Sequence, residues 1–309
     1  MRRFLLLLGA LVVAGVALVA MSFTAQSLPL APLPPFPAPV ARGPDGMSLA
    51  AIRAGTMVSS AMFAYRGGAR TDERKFNMGA IYVHHPRGDL LFDTGFGRNV
   101  DQHVQGAPFL MRAITKYDKG VSVADQLVAA HIEQKSLMGV VLTHAHWDHV
   151  SGLDDLRGVP VMLPQKELDF IHSGDLATEL VRGFGDLNYR VFGFPSGPYL
   201  GFEESYDVFG DGSVVLVAAG GHTPGSVIAF VTLPAGRRYA LVGDIVWQRE
   251  GVELPAERPW ASRKIADKDE ARVRTIVVRL HMLAERFPDM VIVPAHDMRV
   301  WDTLPQLAH

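Results

Sequence analysis

Apolar positions along this chain fall into two patterns. Short continuous or alternating runs at 139–143, 158–163, 213–218, 227–233, 239–242 and 290–293 predict strands, several of them buried on both faces. Residues 57–64 and 78–84 read as further strands. The turn Pro86-Arg87-Gly88 before Leu90-Leu91-Phe92 predicts that the second of these closes a hairpin. Helical spacing appears at 122–135, where Ser122 can cap, and at 165–172. It is strongest at 267–287, where Val273, Ile276, Val277, Leu280, Leu283 and Phe287 form one stripe and Pro288 ends it. Asp267 and Glu270 stand at capping-box-like spacing for this last helix. Strands interleaved with helices predict an α/β domain, and no internal repeat is present.

The two ends of the pattern differ from its middle. Met1-Arg2-Arg3 is followed by eighteen residues, 4–21, without a charge. That length lies at the lower edge of the roughly 17–25 residues that span a bilayer. The segment reads as a signal peptide or an uncleaved membrane anchor (residues 1–25), so the catalytic part is expected to face outward from the cytoplasm, in the periplasm or on the membrane. Residues 26–50 are proline-rich and read as an extended linker or stalk, and residues 51–309 as the globular domain. The segment 96–119, with Phe109, reads as irregular; it is either a cover over a substrate or a helix packed on the sheet. Residues 173–205, with Tyr199, read as a long loop able to shape substrate choice.

Composition narrows the chemistry. With 48% apolar residues, the chain can bury a sizeable core. Thirty basic residues against 32 acidic ones give no electrostatic reason to expect nucleic acid as a partner, so a small-molecule substrate is expected. Cysteine is absent, which excludes disulfides, thiolate metal sites and a cysteine nucleophile.

The candidate chemistry sits at strand ends. His144-Ala145-His146-Trp147-Asp148-His149 follows the run at 139–143 directly. Three imidazoles and a carboxylate so close together would repel or stay unsatisfied in a buried site without a cation. Imidazole with carboxylate suits zinc or iron better than calcium or magnesium. His222 follows the strand at 213–218 on a glycine-rich turn, Asp244 the strand at 239–242, and His296 the strand at 290–293. Strands that present ligands from one end of a sheet build one cleft. His131, His172 and His281 lie on helix surfaces and read as structural.

This His-x-His-x-Asp-His stretch, with His222, Asp244 and His296 in order behind it, resembles the metallo-β-lactamase-fold hydrolases. The resemblance covers roughly residues 56–309. It implies an αββα sandwich, two mixed sheets packed together with helices on both outer faces. It implies a first metal site of His144, His146 and His222, and a second of Asp148, His149 and His296, with Asp244 bridging. Two zinc ions are the default, with iron or manganese compatible with one position. The implied reaction is attack of a bridging hydroxide on an ester carbonyl, with Asp148 and Asp244 as the catalytic carboxylates and Asp148 either a pure ligand or a proton carrier. Asp93, in Asp93-Thr94-Gly95, is either a brace for the histidines or a plain turn residue.

Within that superfamily, Asp244 speaks against a true β-lactamase, and His146 against the diiron flavoproteins, which carry glutamate there. Thirteen residues follow His296, so the C-terminal domains of glyoxalase II, alkylsulfatases and the nucleases are not expected. The layout looks most like the N-acyl-homoserine lactonases, with a thioesterase or phosphodiesterase as the alternative. One departure stands out: Trp247 occupies the place of the tyrosine common in those lactonases. An indole donates a hydrogen bond but does not shuttle a proton. Trp247, Phe109 and Tyr199 are the expected pocket residues. Glu257-Arg258-Pro259-Trp260 either bounds the pocket or braces its loop.

Overall fold

The computed structural model describes residues 2–106, 112 and 116–308, with the backbone alone for residues 2, 3 and 5–12. Its strands in chain order are β1 (Ser48–Ser60), β2 (Glu73–His84), β3 (Asp89–Phe92), β4 (Lys116–Lys119), β5 (Leu137–Val141), β6 (Val161–Pro164), β7 (Tyr189–Phe192), β8 (Ser205–Asp207), β9 (Val214–Ala218), β10 (Val227–Thr232), β11 (Arg238–Gly243) and β12 (Met290–Pro294). Among the described residues they form a seven-stranded sheet, β4-β1-β2-β3-β5-β6-β7, and a five-stranded sheet, β12-β11-β10-β9-β8. Both sheets are mixed: β3-β5-β6-β7 run parallel in the first and β11-β12 in the second.

Alternation along each strand explains why the runs are continuously apolar. In β10, Val227, Ala229 and Val231 point between the sheets, while Ile228 and Phe230 face the helix Glu270–Arg286. In β5 and the residue after it, Val140 and Leu142 join the core on the outer side of the first sheet, and Val141 the core between the sheets. Three apolar layers therefore separate helix, sheet, sheet and helix, the expected αββα sandwich.

Several sequence expectations need correction. The strand at 57–64 begins earlier, at Ser48, and ends at Ser60. The helix at 122–135 is the shorter Val123–Ala129, capped by Ser122, because His131 turns into the left-handed region at φ 58°. The stretch 173–205 is not all loop, since β7 pairs with β6 at the sheet edge and a short helix spans Glu179–Gly183. Asp269 caps the long helix, accepting from the Arg272 N–H, while Asp267 turns inward.

The proline-rich segment is extended, but it lies on the domain rather than standing off as a stalk. Leu28, Leu33 and Phe36 pack on the core beneath the long helix, and the Phe36 ring meets Phe287. Arg2–Met21 is one helix, and its described apolar side chains, Phe4, Val13, Val16, Leu18 and Met21, are exposed. Among the described residues, which leave out the side chains of 5–12, no helix is long and apolar enough to cross a membrane.

Candidate metal centre

Every candidate ligand lies just past the C-terminal end of a strand: 144–149 after β5, His222 after β9, Asp244 after β11 and His296 after β12. The two sheets are tied together at this edge. Val227 N–H donates to the Thr143 carbonyl at 2.9 Å. Gly243, at φ 52°, approaches so closely that a Cβ there would lie 2.9 Å from the Thr143 side chain. A glycine at the end of β11 thus lets Asp244 enter the cleft beside the β5 motif.

Three nitrogens converge at one point. His144 Nε2, His146 Nδ1 and His222 Nε2 lie 3.0–3.2 Å apart. A second group converges beside it. His149 Nε2 is 3.4 Å from His296 Nε2, and Asp148 Oδ2 lies 3.9 and 3.4 Å from these two atoms. Asp244 stands between them, with Oδ1 at 3.1 and 3.0 Å from His149 and His296 Nε2 and Oδ2 at 3.6 Å from His222 Nε2. Its two oxygens divide between the two groups, as a bridging ligand requires.

In the neutral rings of His144, His149, His222 and His296 the atom facing inward is an acceptor, because the outer ring nitrogen is already committed. His149 Nδ1 donates to Asp93 Oδ2 at 2.8 Å, His222 Nδ1 to Asp267 at 3.1 Å, and His296 Nδ1 to the Asn77 carbonyl at 2.8 Å. The Thr143 hydroxyl donates to Asp93, which leaves its oxygen to accept from His144 Nδ1. Each of these bonds fixes the tautomer with a lone pair on Nε2. Buried Asp244 Oδ1 has no hydrogen-bond partner, although two such lone pairs flank it. Lone pairs facing an unpaired carboxylate oxygen repel unless a cation sits among them. The residues therefore fit two divalent ions, one held by His144, His146 and His222, the other by Asp148, His149 and His296, with Asp244 shared. Asp93, which also accepts from the Thr143 N–H, is a brace for these histidines rather than a plain turn residue.

Charge divides the two groups. Burial, then the neighbouring imidazoles, holds His144 and His146 well below the usual histidine range. Burial opposes charge on His149 too, but Asp244, Asp93 and Asp148 outweigh it and hold that pKa well above the ordinary value. His296 is raised against the same opposition by Asp244 and Asp148. Asp244 is depressed despite its burial, by the charges of His296 and His149. Metal binding at the second group must therefore displace protons. As pH falls, the second site is expected to empty before the first, so metal content measured by elemental analysis should pass from two ions per chain through one. Simultaneous loss of both would contradict this division.

Residues that the sequence did not single out hold the ligand loops. Glu167, fully buried on the helix Gln165–His172, accepts from Ala145 N–H at 2.7 Å, Thr223 Oγ1 at 2.7 Å and Gly225 N–H at 3.0 Å. It links the 144–149 loop to the turn that carries His222. Burial outweighs these bonds and pushes its carboxyl up to about 7. Buried Arg258 donates to the Asp244 carbonyl at 2.8 Å, pairs with Asp267 and covers the Trp247 ring at 4.8 Å. In the 257–260 stretch it is Arg258 that braces.

Above the ligands opens a cavity of about 180 Å³. Its walls are Met57, Phe63, Phe76, Met78, Trp147, Trp247 and Ile265, and its floor is His146, Asp148, His222, Asp244 and His296. Trp247 belongs to the pocket as expected. Its Nε1–H donates to Asp244 Oδ2 at 2.7 Å, and its ring meets Phe76 edge-on. Tyr199 does not line it: its ring packs on Phe230 on the outer face of the second sheet, which corrects its assignment to the pocket. Phe109 lies outside the described residues. The short helix Trp260–Ala266 forms a wall that no periodicity predicted.

The model of the metallo-beta-lactamase superfamily matches residues 77–298. The curated N-acyl homoserine lactonase AttM of Agrobacterium fabrum is similar, 23% identical over 227 residues that cover 71% of this chain and 81% of that protein. A probable metallo-hydrolase, YqgX of Bacillus subtilis, is 27% identical over 138 residues, 38% of this chain and 54% of its own length. Among solved structures, an N-acyl homoserine lactone hydrolase with the product N-hexanoyl-L-homoserine at its catalytic metal centre superposes with a TM-score of 0.65 at 16% identity, covering 84% of this chain and 96% of that one. The dizinc quorum-quenching lactonase AidC superposes with a TM-score of 0.55 at 14% identity, covering 84% and 90%.

Proposed function

The chain belongs to the metallo-beta-lactamase superfamily and carries the residues of a metal-dependent hydrolase, and we propose that it cleaves the ester bond of a lactone bearing an apolar acyl chain, an N-acyl-homoserine lactone being the model substrate. One observation carries this reading: the seven ligands cluster beneath a pocket whose walls are almost wholly apolar, and five of them, His146, Asp148, His222, Asp244 and His296, form its floor. Two zinc ions suit the donor set, and divalent ions held there supply an activated water at neutral pH and electrophilic polarisation of a carbonyl. The AttM and AidC lactonases support the substrate class.

The chain's own groups supply the rest. The apolar wall binds the acyl chain and excludes water around the carbonyl. Asp148 joins the second ligand group through Oδ2 and also lines the cavity, so its carboxylate is placed to take a proton from the attacking water and return it to the departing alkoxide. The Trp247 indole, bonded to Asp244, steadies that carboxylate and closes one wall; it transfers no proton. The charged n-region and uncharged segment 4–21 support an exported placement with the site outside the cytoplasm.

Lactones of increasing acyl length, offered to the zinc-loaded protein, test this. kcat/KM should rise by up to about fourfold per added methylene while the chain is still being buried. Absence of turnover at every length would sink the lactone reading. Faster cleavage of acyl thioesters would replace it with a thioesterase, and faster cleavage of a diester phosphate with a phosphodiesterase.

A further inference from the structure

The end of the N-terminal helix is fastened to the rim of the catalytic pocket. Arg66 donates from its guanidinium to the Met21 carbonyl at 3.0 Å and to the Thr24 carbonyl at 3.1 Å. Gly67 N–H donates to the Phe23 carbonyl at 3.0 Å, and Leu28 N–H to the Pro255 carbonyl at 2.9 Å. The Phe23 ring packs edge-on against Phe63, a wall residue of the cavity. Ser22 Oγ accepts from the Trp260 N–H at 3.2 Å, one residue before Ala261 of the same wall. Residues 22–28 thus have defined partners on the domain, which a segment discarded with a leader has no use for.

The rim itself is apolar and exposed. Leu176, beside the wall residue Ala177, is 79% exposed; Trp260 and Ile265 are 45% and 48% exposed. Single exposed apolar residues need no explanation, but here they surround a cavity mouth. Trp260, through its bond to Ser22, also adjoins the end of a helix whose sequence is uncharged from Phe4 to Met21 behind Arg2-Arg3. At 1.5 Å per residue, such a run extends about 27 Å, close to the thickness of a bilayer's hydrocarbon core. A helix of this length pinned at Met21 brings whatever it is pinned to against the membrane surface. What it is pinned to is the mouth.

We propose that the N-terminal helix is a retained membrane anchor and that the rim formed by Leu176, Trp260 and Ile265 rests on the lipid surface, so that the pocket takes long-chain acyl esters directly from the bilayer. The partner is a phospholipid surface. Trp260 sits at the interface, where its amphipathic ring is favoured, and an acyl tail passes from lipid into the apolar wall without crossing water. The substrate side of this inference rests on the ester-hydrolase reading above.

The test uses the full chain, zinc-loaded and reconstituted in phosphatidylcholine vesicles. Vesicles with brominated acyl tails should quench tryptophan emission in the wild type, and most of that quenching should vanish in Trp260→Phe. Leu176→Asp should cleave a butanoyl lactone in solution at the wild-type rate, but a dodecanoyl lactone carried in vesicles about tenfold more slowly, because a buried charge is driven out of the interface. Equal quenching in wild type and Trp260→Phe, or unchanged rates on the vesicle-borne lactone, would overturn the proposal. Quenching that depends on Trp260, with no ester cleaved in either form, would leave the membrane-seated mouth standing and remove the hydrolase reading instead.

Discussion

Asp244→Ala should abolish hydrolysis, with kcat/KM falling on the order of a thousandfold or more, and should lower metal content at both positions at once. The reason lies in how its carboxylate is shared. Oδ1 faces His149 and His296 while Oδ2 faces His222, so one truncation removes a ligand from each group. It also removes the negative charge that counters the second group and the acceptor that holds the Trp247 indole. Asp244→Asn separates these roles. Its amide oxygen can still accept from Trp247 Nε1, so the pocket wall should keep its shape. Its neutral side chain should nonetheless bind metal far more weakly than a carboxylate. The pKa of His149 and of His296 should fall in either variant, since Asp244 is the largest contributor raising them. Elemental analysis, lactone turnover and imidazole titration by NMR check the three parts. Near-normal turnover in Asp244→Ala would mean that one metal group suffices.

Much of this arrangement was legible because it is local. Strands such as 227–232 and 238–243 are apolar on both faces, and a strand so built has only the interior of a layered fold to occupy. The ligands follow those strands within a few residues, so chain order alone places them at one edge. What was not legible depends on distant approach. Glu167 lies in Gln-Lys-Glu-Leu-Asp-Phe-Ile-His, which reads as an ordinary half-exposed helix. Only the arrival of the turn at Gly225, whose Cβ would lie 2.3 Å from the Glu167 N, buries that carboxylate. Asp267 looked like a helix cap until Asp269 took that place and left Asp267 to orient His222. Tyr199 was read from an aromatic-rich stretch, but an aromatic residue fills a core as readily as a pocket, and the outer face of the second sheet had the vacancy. The proline-rich segment carried its own signal in Leu28, Leu33 and Phe36: a free stalk has no use for apolar side chains set among its prolines.

Glu167→Ala should cost about 4 kcal/mol of stability, because it strands three buried donors at once. Ala145 N–H, Gly225 N–H and the Thr223 hydroxyl all end on this one carboxylate. The two loops it joins carry His144, His146 and His222, so metal affinity at the first site should fall with stability. Glu167→Gln keeps the shape and one acceptor oxygen, but turns an amide N–H₂ toward a donor, and should cost roughly half as much. The pH dependence identifies the carboxylate itself. Burial raises its folded-state pKa to about 7 from an unfolded value of 4.5, so between those values the folded chain holds the extra proton. Stability from this group is therefore full below the unfolded value and is lost as pH climbs toward the folded one, a difference of about 3 kcal/mol. In chelator-treated protein, the gap in unfolding free energy between wild type and Glu167→Gln should narrow as pH rises from about 4.5 to 7, since the variant has no such proton to lose. Denaturant melts at fixed pH values measure it. A gap that stays constant across this range would show that Glu167 is ionised throughout, with its three donors outweighing its burial. Zinc loading should then be compared at neutral pH, where positive charge at the adjacent ligand groups favours the carboxylate form and returns part of the lost stability.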